Sequence, residues 1–430
     1  MRDKNQHAPR PPMGWNSWDC YAAAVTEKQL LDNARFMALK MLSSGWEYIV
    51  CDIQWYEPLA GTGEGEYRPF AELCIDEYSR LLPAENRFPS SAGGKGFAPI
   101  AEKIHDMGLK FGLHYMRGIP RQAVHNRLAI KGANTTADKI ANPFSISRWN
   151  SDMYGVDAGN PRARDYYNSI FEQFALWGVD YVKVDDICNT NMYPGAPYSG
   201  KGEMELISGA ISNCARPMVL SLSPGPALIE KAWHLSRYAN MWRITDDFWD
   251  RWDLLKDMFA RCEIWQSHVK SGCWPDCDML PLGRVGEGFK KPRDTNFTRD
   301  EQRALMTLWC VFRSPLMMGG ELTGMDDWTL SLLTNDEVLA VQRFGANPCQ
   351  IAFNNEEAVW MNDAGNGGIN LALFNLSDDE REVCCPLSAL GFNEARLRDL
   401  WNKKDTGIVK EKIVLKIKPH GAELYKVEKI

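Results

Sequence analysis

Apolar residues recur at helical spacing through residues 163–177, at Tyr166, Tyr167, Ile170, Phe171, Phe174 and Trp177. That spacing predicts a helix with one buried face. Asn160-Pro161 ahead of it reads as an N-cap with proline at the first helical position, and Gly178 can take the left-handed conformation that stops it. Three residues on, Tyr181-Val-Lys-Val-Asp185-Asp186 is a short apolar strand ending in charge. A helix, a tight turn and a buried strand with charge at its carboxyl end form the unit of an α/β barrel.

The same rhythm runs along most of the chain. Strands are expected within 11–18 and at 48–52, 110–114, 181–185, 217–222, 239–243, 272–274 and 314–318. Helices are expected between them at 26–42, 98–107, 226–235, 252–268 and 298–311, the first opened by a Thr26/Gln29 capping box. Alternating strands and helices of this number predict an α/β fold, a (β/α)8 TIM barrel over residues 11–340. Residues 1–10 read as a loose N-terminal tail. Two connections are long, 57–95 and 116–158, the second expected to be a lid or a subunit contact. After Asn347 the pattern changes to short strands at 349–353, 358–361, 368–374, 381–384 and 414–417, separated by turn residues. Residues 341–430 are therefore expected to form a small antiparallel β domain that packs on the barrel.

Composition narrows the partners. The 430 residues carry a net charge of −7 and no Lys/Arg-rich run, which argues against nucleic acid or an anionic membrane. No apolar stretch reaches membrane-spanning length, and the polar N-terminus lacks a signal-peptide core. The 12 cysteines are scattered, several inside expected strands or helices, as in a reduced cytoplasmic protein. No zinc spacing is present around Cys273 and Cys277, and no metal or cofactor is expected. A homo-oligomer is compatible with the long insertions. The 16 tryptophans hint at carbohydrate, although core packing accounts for most of them.

Charged and polar groups gather at the strand ends: Trp18, Asp52, His114, then Lys183, Asp185 and Asp186, then Ser221 and Ser223, Arg243, Asp246 and Asp247, and Asp276 and Asp278. A lone strand-end aspartate is more often a helix N-cap than a catalyst. Seven strands contributing to one barrel face point to an active site. Lys183 and Asp185 are two apart, so they share one side of their strand, and the ammonium keeps the carboxylate ionised. Two carboxylates on opposite walls with an aromatic floor suit glycoside hydrolysis. Asp185 is the expected nucleophile, and the acid/base lies in Trp242-Arg-Ile-Thr-Asp246-Asp247. Two other classes compete. One is a metal-dependent barrel hydrolase with Asp52, Asp185, Asp186, Asp247 and Asp278 as oxygen ligands, which Lys183 and Arg243 in the same cluster oppose. The other is an inactive galactose-binding barrel protein.

These motifs resemble the family 27 glycoside hydrolases, the α-galactosidases or melibiases of clan D, over nearly the whole chain. The resemblance rests on Pro12-Met-Gly-Trp-Asn-Ser-Trp18, Tyr48-Ile-Val-Cys-Asp52, Lys183-Val-Asp185, Trp242-Arg243 with a following aspartate, and Pro275-Asp-Cys-Asp-Met-Leu280. It implies a barrel followed by an antiparallel β-sandwich, and a retaining exo-glycosidase that acts by double displacement on terminal galactose-configured sugars. Asp185 matches the family nucleophile. The acid/base is the fourth residue after the arginine, Asp247, with Trp252 supporting that register and Asp246 as the fallback. The resemblance also implies that Trp18 packs on the sugar ring, that Asp52 and Lys183 hold the C4 and C3 hydroxyls, that Arg243 binds near C2, and that Asp278 sits beside the sugar or braces its neighbours.

Four positions depart from the family pattern. Asp52-Ile53 stands where typical α-galactosidases carry two acids that grip the C4 and C6 hydroxyls. His114 replaces a tyrosine. Ser221-Leu-Ser223-Pro replaces a motif containing Cys-Glu-Trp, so recognition at C2 must differ. Cys188 has no partner for the disulfide found near the site in many secreted members. Ile53 bears on the substrate, because β-L-arabinopyranose is α-D-galactopyranose without its hydroxymethyl. An alkyl group there removes a hydrogen bond of about 1.5–3 kcal/mol and fills the hydroxymethyl's space. Both α-D-galactopyranosides and β-L-arabinopyranosides are therefore expected substrates, with Ile53 tilting the balance toward the arabinopyranosides. The competing reading has Ile53 in the barrel wall and another polar group, His114 first, reading C6.

Overall fold

The computed structural model describes residues 3–63, 66–190, 195–365 and 367–430. Eight parallel strands form the barrel: β1 (Met13–Asn16), β2 (Tyr48–Cys51), β3 (Lys110–Met116), β4 (Tyr181–Asp185), β5 (Val219–Leu222), β6 (Met241–Arg243), β7 (Trp274–Asp276) and β8 (Leu316–Met318). They pair in the order β7-β6-β5-β4-β3-β2-β1-β8. The ring closes between β7 and β8 through one parallel bridge from Leu280 to Met318. There the Leu280 amide donates to Met317 O at 2.8 Å and the Gly319 amide to Leu280 O at 2.9 Å.

One buried layer inside the barrel sets the site above it. Tyr48, Val50, Tyr181, Val219, Met241, Trp274 and Met317 cluster there. The Tyr48 and Tyr181 rings meet at 5.5 Å across β3, where a Cβ on Gly112 would lie 2.9 Å from Val50 and 3.1 Å from Tyr181. Side chains two apart in a strand point the same way. Val50, Tyr181 and Met241 are therefore each followed by a polar group on the inner side and nearer the carboxyl end. Asp52 follows Val50, Lys183 and then Asp185 follow Tyr181, and Arg243 follows Met241.

Two expectations are corrected. Residues 4–10 are not loose: Asn240 Nδ2 donates to Lys4 O at 3.0 Å, Trp274 Nε1 donates to Ala8 O at 2.8 Å, and Ala8 is buried in the interior layer. The segment covers the end of the barrel opposite the charged strand ends, where bare backbone would otherwise face water. The seventh strand lies two residues later than expected. Pro275 reads as a breaker, but β7 pairs along its length only with β6, so the missing N–H is tolerated there.

The expected capping box forms on helix Glu27–Lys40, with Thr26 and Gln29, and a second one forms on Arg299–Phe312, with Thr298 and Glu301. The helix before β4 runs Ala163–Leu176, and Asn160 Oδ1 accepts from the Arg162 amide at 3.0 Å just ahead of it. The connection after β3 folds into a small three-stranded sheet of Ile119–Pro120, Ala141–Ile146 and Met153–Val156. Among the described residues no helix is long and apolar enough to cross a membrane.

From Ala346 the chain builds a six-stranded antiparallel sheet and a two-stranded one, Arg381–Pro386 with Lys412–Ile417. Strand Gly368–Asn375 is buried on both faces. Leu371 and Leu373 pack with Val383 and Ile413 of the second sheet, while Ala372 and Phe374 join the barrel's own core. Helix Arg299–Phe312 lies between, and Asn362 Nδ2 donates to its Val311 O at 2.9 Å. The β domain therefore shares a hydrophobic core with the barrel.

Candidate active site

A cavity of about 260 Å³ opens at the carboxyl ends of the strands. Of the residues expected from sequence, Trp18, Asp52, Ile53, Lys183, Asp185, Arg243, Asp246, Asp247 and Asp278 line it. His114 and Ser223 do not. His114 is fully buried and acts on the cavity through Asp185, with Nε2 3.1 Å from Asp185 Oδ2. Ser223 lies beneath the wall, its amide donating to Val184 O at 2.9 Å and its carbonyl accepting from Ile187 at 3.1 Å.

The charges are arranged in two linked groups. In the first, Lys183 Nζ lies 3.0 Å from Asp52 Oδ2, which also accepts from Asn16 Nδ2 at 2.7 Å. Asp52 Oδ1 accepts from the Ile53 amide at 2.9 Å. Burial works against an ionised Asp52, but Lys183, His114 and these donors outweigh it and hold the carboxyl below its usual range. The same contest is settled further toward the charged form at Asp185. Burial is outweighed by the His114 hydrogen bond and charge, by Lys183, and by the Asp186 amide, which donates to Oδ1 at 2.7 Å. Asp185 is thereby held toward the ionised form, the form that nucleophilic attack requires. Lys183 is held charged against burial by Asp52 and Asp185.

The second group centres on Arg243. It donates from one guanidinium nitrogen to Asp247 Oδ1 at 2.7 Å and lies 3.2 Å from Asp278 Oδ1 with another. Asp278 Oδ2 accepts from the Phe248 amide at 2.8 Å, and its own amide donates to Asp276 Oδ1 at 3.0 Å. Burial and the Asp278 charge push the Asp276 carboxyl up to about 7. Asp247 is open to the cavity mouth, with 66% of its side chain exposed. Asp246, its neighbour, accepts from the Asp247 amide at 3.0 Å. The arginine thus grips Asp247, while Asp246 caps the turn.

The mouth is framed by Trp18 together with aromatic residues that sequence reasoning did not single out. Trp18 stacks on Tyr67 at 5.8 Å and 14°, Tyr67 meets Trp149 at 5.3 Å, Trp18 meets Phe289 at 5.4 Å, and Phe289 meets Trp249 at 5.7 Å. Tyr67 and Trp149 come from the two long connections, which carry no periodic signal. Asp19, Glu66 and Met279 also line the cavity. Asp19 stands directly after Trp18 in the sequence, and its place on the wall follows from the turn out of β1.

The chain is similar to known proteins over nearly its whole length. The family model for alpha galactosidase A matches residues 152–343, and the model for the alpha galactosidase C-terminal beta sandwich domain matches residues 354–427. A GH27 β-L-arabinopyranosidase from Geobacillus stearothermophilus is 51% identical, with a TM-score of 0.95 over 99% of this chain and 98% of that one. A variant of it in complex with arabinose is 50% identical, with a TM-score of 0.96 over all of both chains. A Bacillus halodurans C-125 structure described as a candidate α-N-acetylgalactosaminidase is 47% identical, with a TM-score of 0.88 over 98% of this chain and 99% of that one. The α-galactosidase of Cyamopsis tetragonoloba is 27% identical over 421 residues, 96% of this chain and 85% of its own. With its barrel, its β-sandwich and its strand-end carboxylates, the chain belongs to the GH27 glycoside hydrolases.

Proposed function

We propose that this glycoside hydrolase is a retaining exo-β-L-arabinopyranosidase with weaker activity on α-D-galactopyranosides. The observation that carries the reading is Ile53, 1% exposed and set in the cavity wall beside Asp52. Its side chain offers no acceptor to a hydroxymethyl and occupies space that a pyranose without one leaves open. The half-identical Geobacillus arabinopyranosidase and its arabinose complex support the same sugar.

In the proposed mechanism Asp185 attacks the anomeric carbon while Asp247 gives its proton to the departing glycosidic oxygen. The C–O bond to the leaving group breaks as the bond to Asp185 forms. Asp247, now ionised, takes a proton from water, the water oxygen attacks the same carbon, and Asp185 is released. Lys183 keeps Asp52 and Asp185 charged, and Arg243 holds Asp247 and Asp278 in place. The buried thiol of Cys188, and the Cys262 and Cys277 thiols, which share a hydrogen bond at 3.5 Å rather than a disulfide, fit a reducing, cytoplasmic setting.

Initial rates on p-nitrophenyl β-L-arabinopyranoside and p-nitrophenyl α-D-galactopyranoside test the reading. A clear excess for the arabinoside is expected. A clear excess for the galactoside would mean that another group serves C6 and would remove the specificity argument. Proton NMR of the first-formed sugar checks retention.

A further inference from the structure

Among the described residues, seven carboxyl side chains line the cavity: Asp19, Asp52, Glu66, Asp185, Asp246, Asp247 and Asp278. Asp52, Asp185, Asp247 and Asp278 are each held by a cation, an amide or a histidine of the protein itself. Asp19 differs. It is 3% exposed, and its Oδ2 has no hydrogen-bond partner among the described residues. Burial comes first and the Asp278 charge second in pushing its carboxyl well up, while Lys183, Asp247 and Asp52 also act on it. Those neighbours place it within the same field of charges as the catalytic groups.

The surroundings are shaped to the carboxyl rather than braced by it. Asp19 follows β1, between β2 with Asp52 and β8 with Gly319. A Cβ at residue 319 would lie 1.9 Å from Asp19 Oδ2, so glycine there leaves the carboxyl its room. A buried carboxyl oxygen with no partner costs stability and holds nothing together. Such a group is explained if a ligand completes it, and a pyranose is a ring of hydroxyls that both donate and accept.

We propose that Asp19 is a substrate-binding residue whose carboxyl pairs with a ring hydroxyl of the bound pyranose. The inference rests on the glycosidase reading above and adds a contact to it.

The test uses the Asp185→Asn enzyme, which binds without turnover, and titration calorimetry with L-arabinose and D-galactose. Adding Asp19→Ala should weaken binding at least about tenfold, the size of one hydrogen bond lost. It should leave the melting temperature unchanged or raised, because an orphan carboxyl oxygen is gone. Asp19→Asn, nearly the same shape and still able to donate and accept, should lose less. Among 2-, 3- and 4-deoxygalactose, one should bind equally well with and without the Asp19→Ala substitution, naming the hydroxyl. Equal affinity of the Asp19→Ala protein for the parent sugars, or the same loss for every deoxy sugar in both backgrounds, would overturn the proposal. If the Asp185→Asn parent binds neither sugar, the substrate reading itself fails and the inference with it.

Discussion

His114 Nε2 lies 3.1 Å from Asp185 Oδ2, and the other ring nitrogen, Nδ1, has no hydrogen-bond partner among the described residues. The two residues sit on adjacent parallel strands, with His114 opposite Lys183 in the register. A fully buried imidazole therefore spends its one hydrogen bond on the proposed nucleophile, where it fixes that carboxylate's orientation and charge.

His114→Leu removes the hydrogen bond that most strongly opposes burial at Asp185. The sign follows directly. Asp185 must be ionised to attack, its carboxyl is held low, and loss of the donor raises it. The acidic limb of the kcat/KM profile should move to higher pH, and kcat should fall about 10- to 100-fold while KM changes little. A pH–rate profile on an activated aryl glycoside reads this out; an unmoved acidic limb would show that His114 only fills space.

Asp247→Asn should slow substrates with poor leaving groups far more than activated aryl glycosides, because only the former need the proton. Arg243 holds Asp247 at 2.7 Å, whereas Asp246 accepts from a backbone amide, so Asp246→Asn should leave that ratio near the parent's. Kinetics on a leaving-group series decide it. The signature appearing with Asp246→Asn instead would move the acid/base by one position.

Ile53→Asp places an acceptor beside Asp52 at the wall where a hydroxymethyl would lie. The ratio of kcat/KM for the galactoside over the arabinoside should rise about 10-fold or more, in keeping with one charge-assisted hydrogen bond. An unchanged ratio in the folded variant would mean that Ile53 does not meet the sugar at C6.

Arg117 supports Asp185, the proposed nucleophile, through Asp186. It pairs with Asp186 at 2.9 Å and Glu203 at 2.8 Å, all three buried, and also donates to the Asp186 carbonyl. Arg117→Met leaves two buried carboxylates uncompensated, which should cost about 3–5 kcal/mol in a denaturant titration. Turnover should fall as well, because the Asp186 amide is a donor to Asp185.

Much of this was legible along the chain because of one rule of strand geometry. Residues two apart share a side, so Tyr181, Lys183 and Asp185 had to enter the barrel together, and the same holds for Met241 with Arg243. Helix starts were equally local, as the Thr26 and Thr298 capping boxes show. Three strands of the β domain escaped. Lys404–Lys410 is a mostly exposed edge with no apolar alternation to read, while Glu394–Asp399 and Ala422–Lys429 mix charges with their buried positions.

The amino-acid order alone made the barrel, the added β domain and the carboxylates at the strand ends legible, since each is signalled by periodicity and turn residues within a short stretch. Only the tertiary structure decided which of those groups meet. It set His114 on Asp185 rather than on the sugar side, gave Arg243 to Asp247 instead of Asp246, and brought Trp149 and Tyr67 to the mouth from separate connections. It also left Asp19 Oδ2 without a partner among the described residues, beside Gly319, which comes from the far end of the barrel sequence. The reason is physical: pairing, desolvation and close approach depend on distances in space, and no local periodicity encodes a neighbour that arrives from another turn of the barrel.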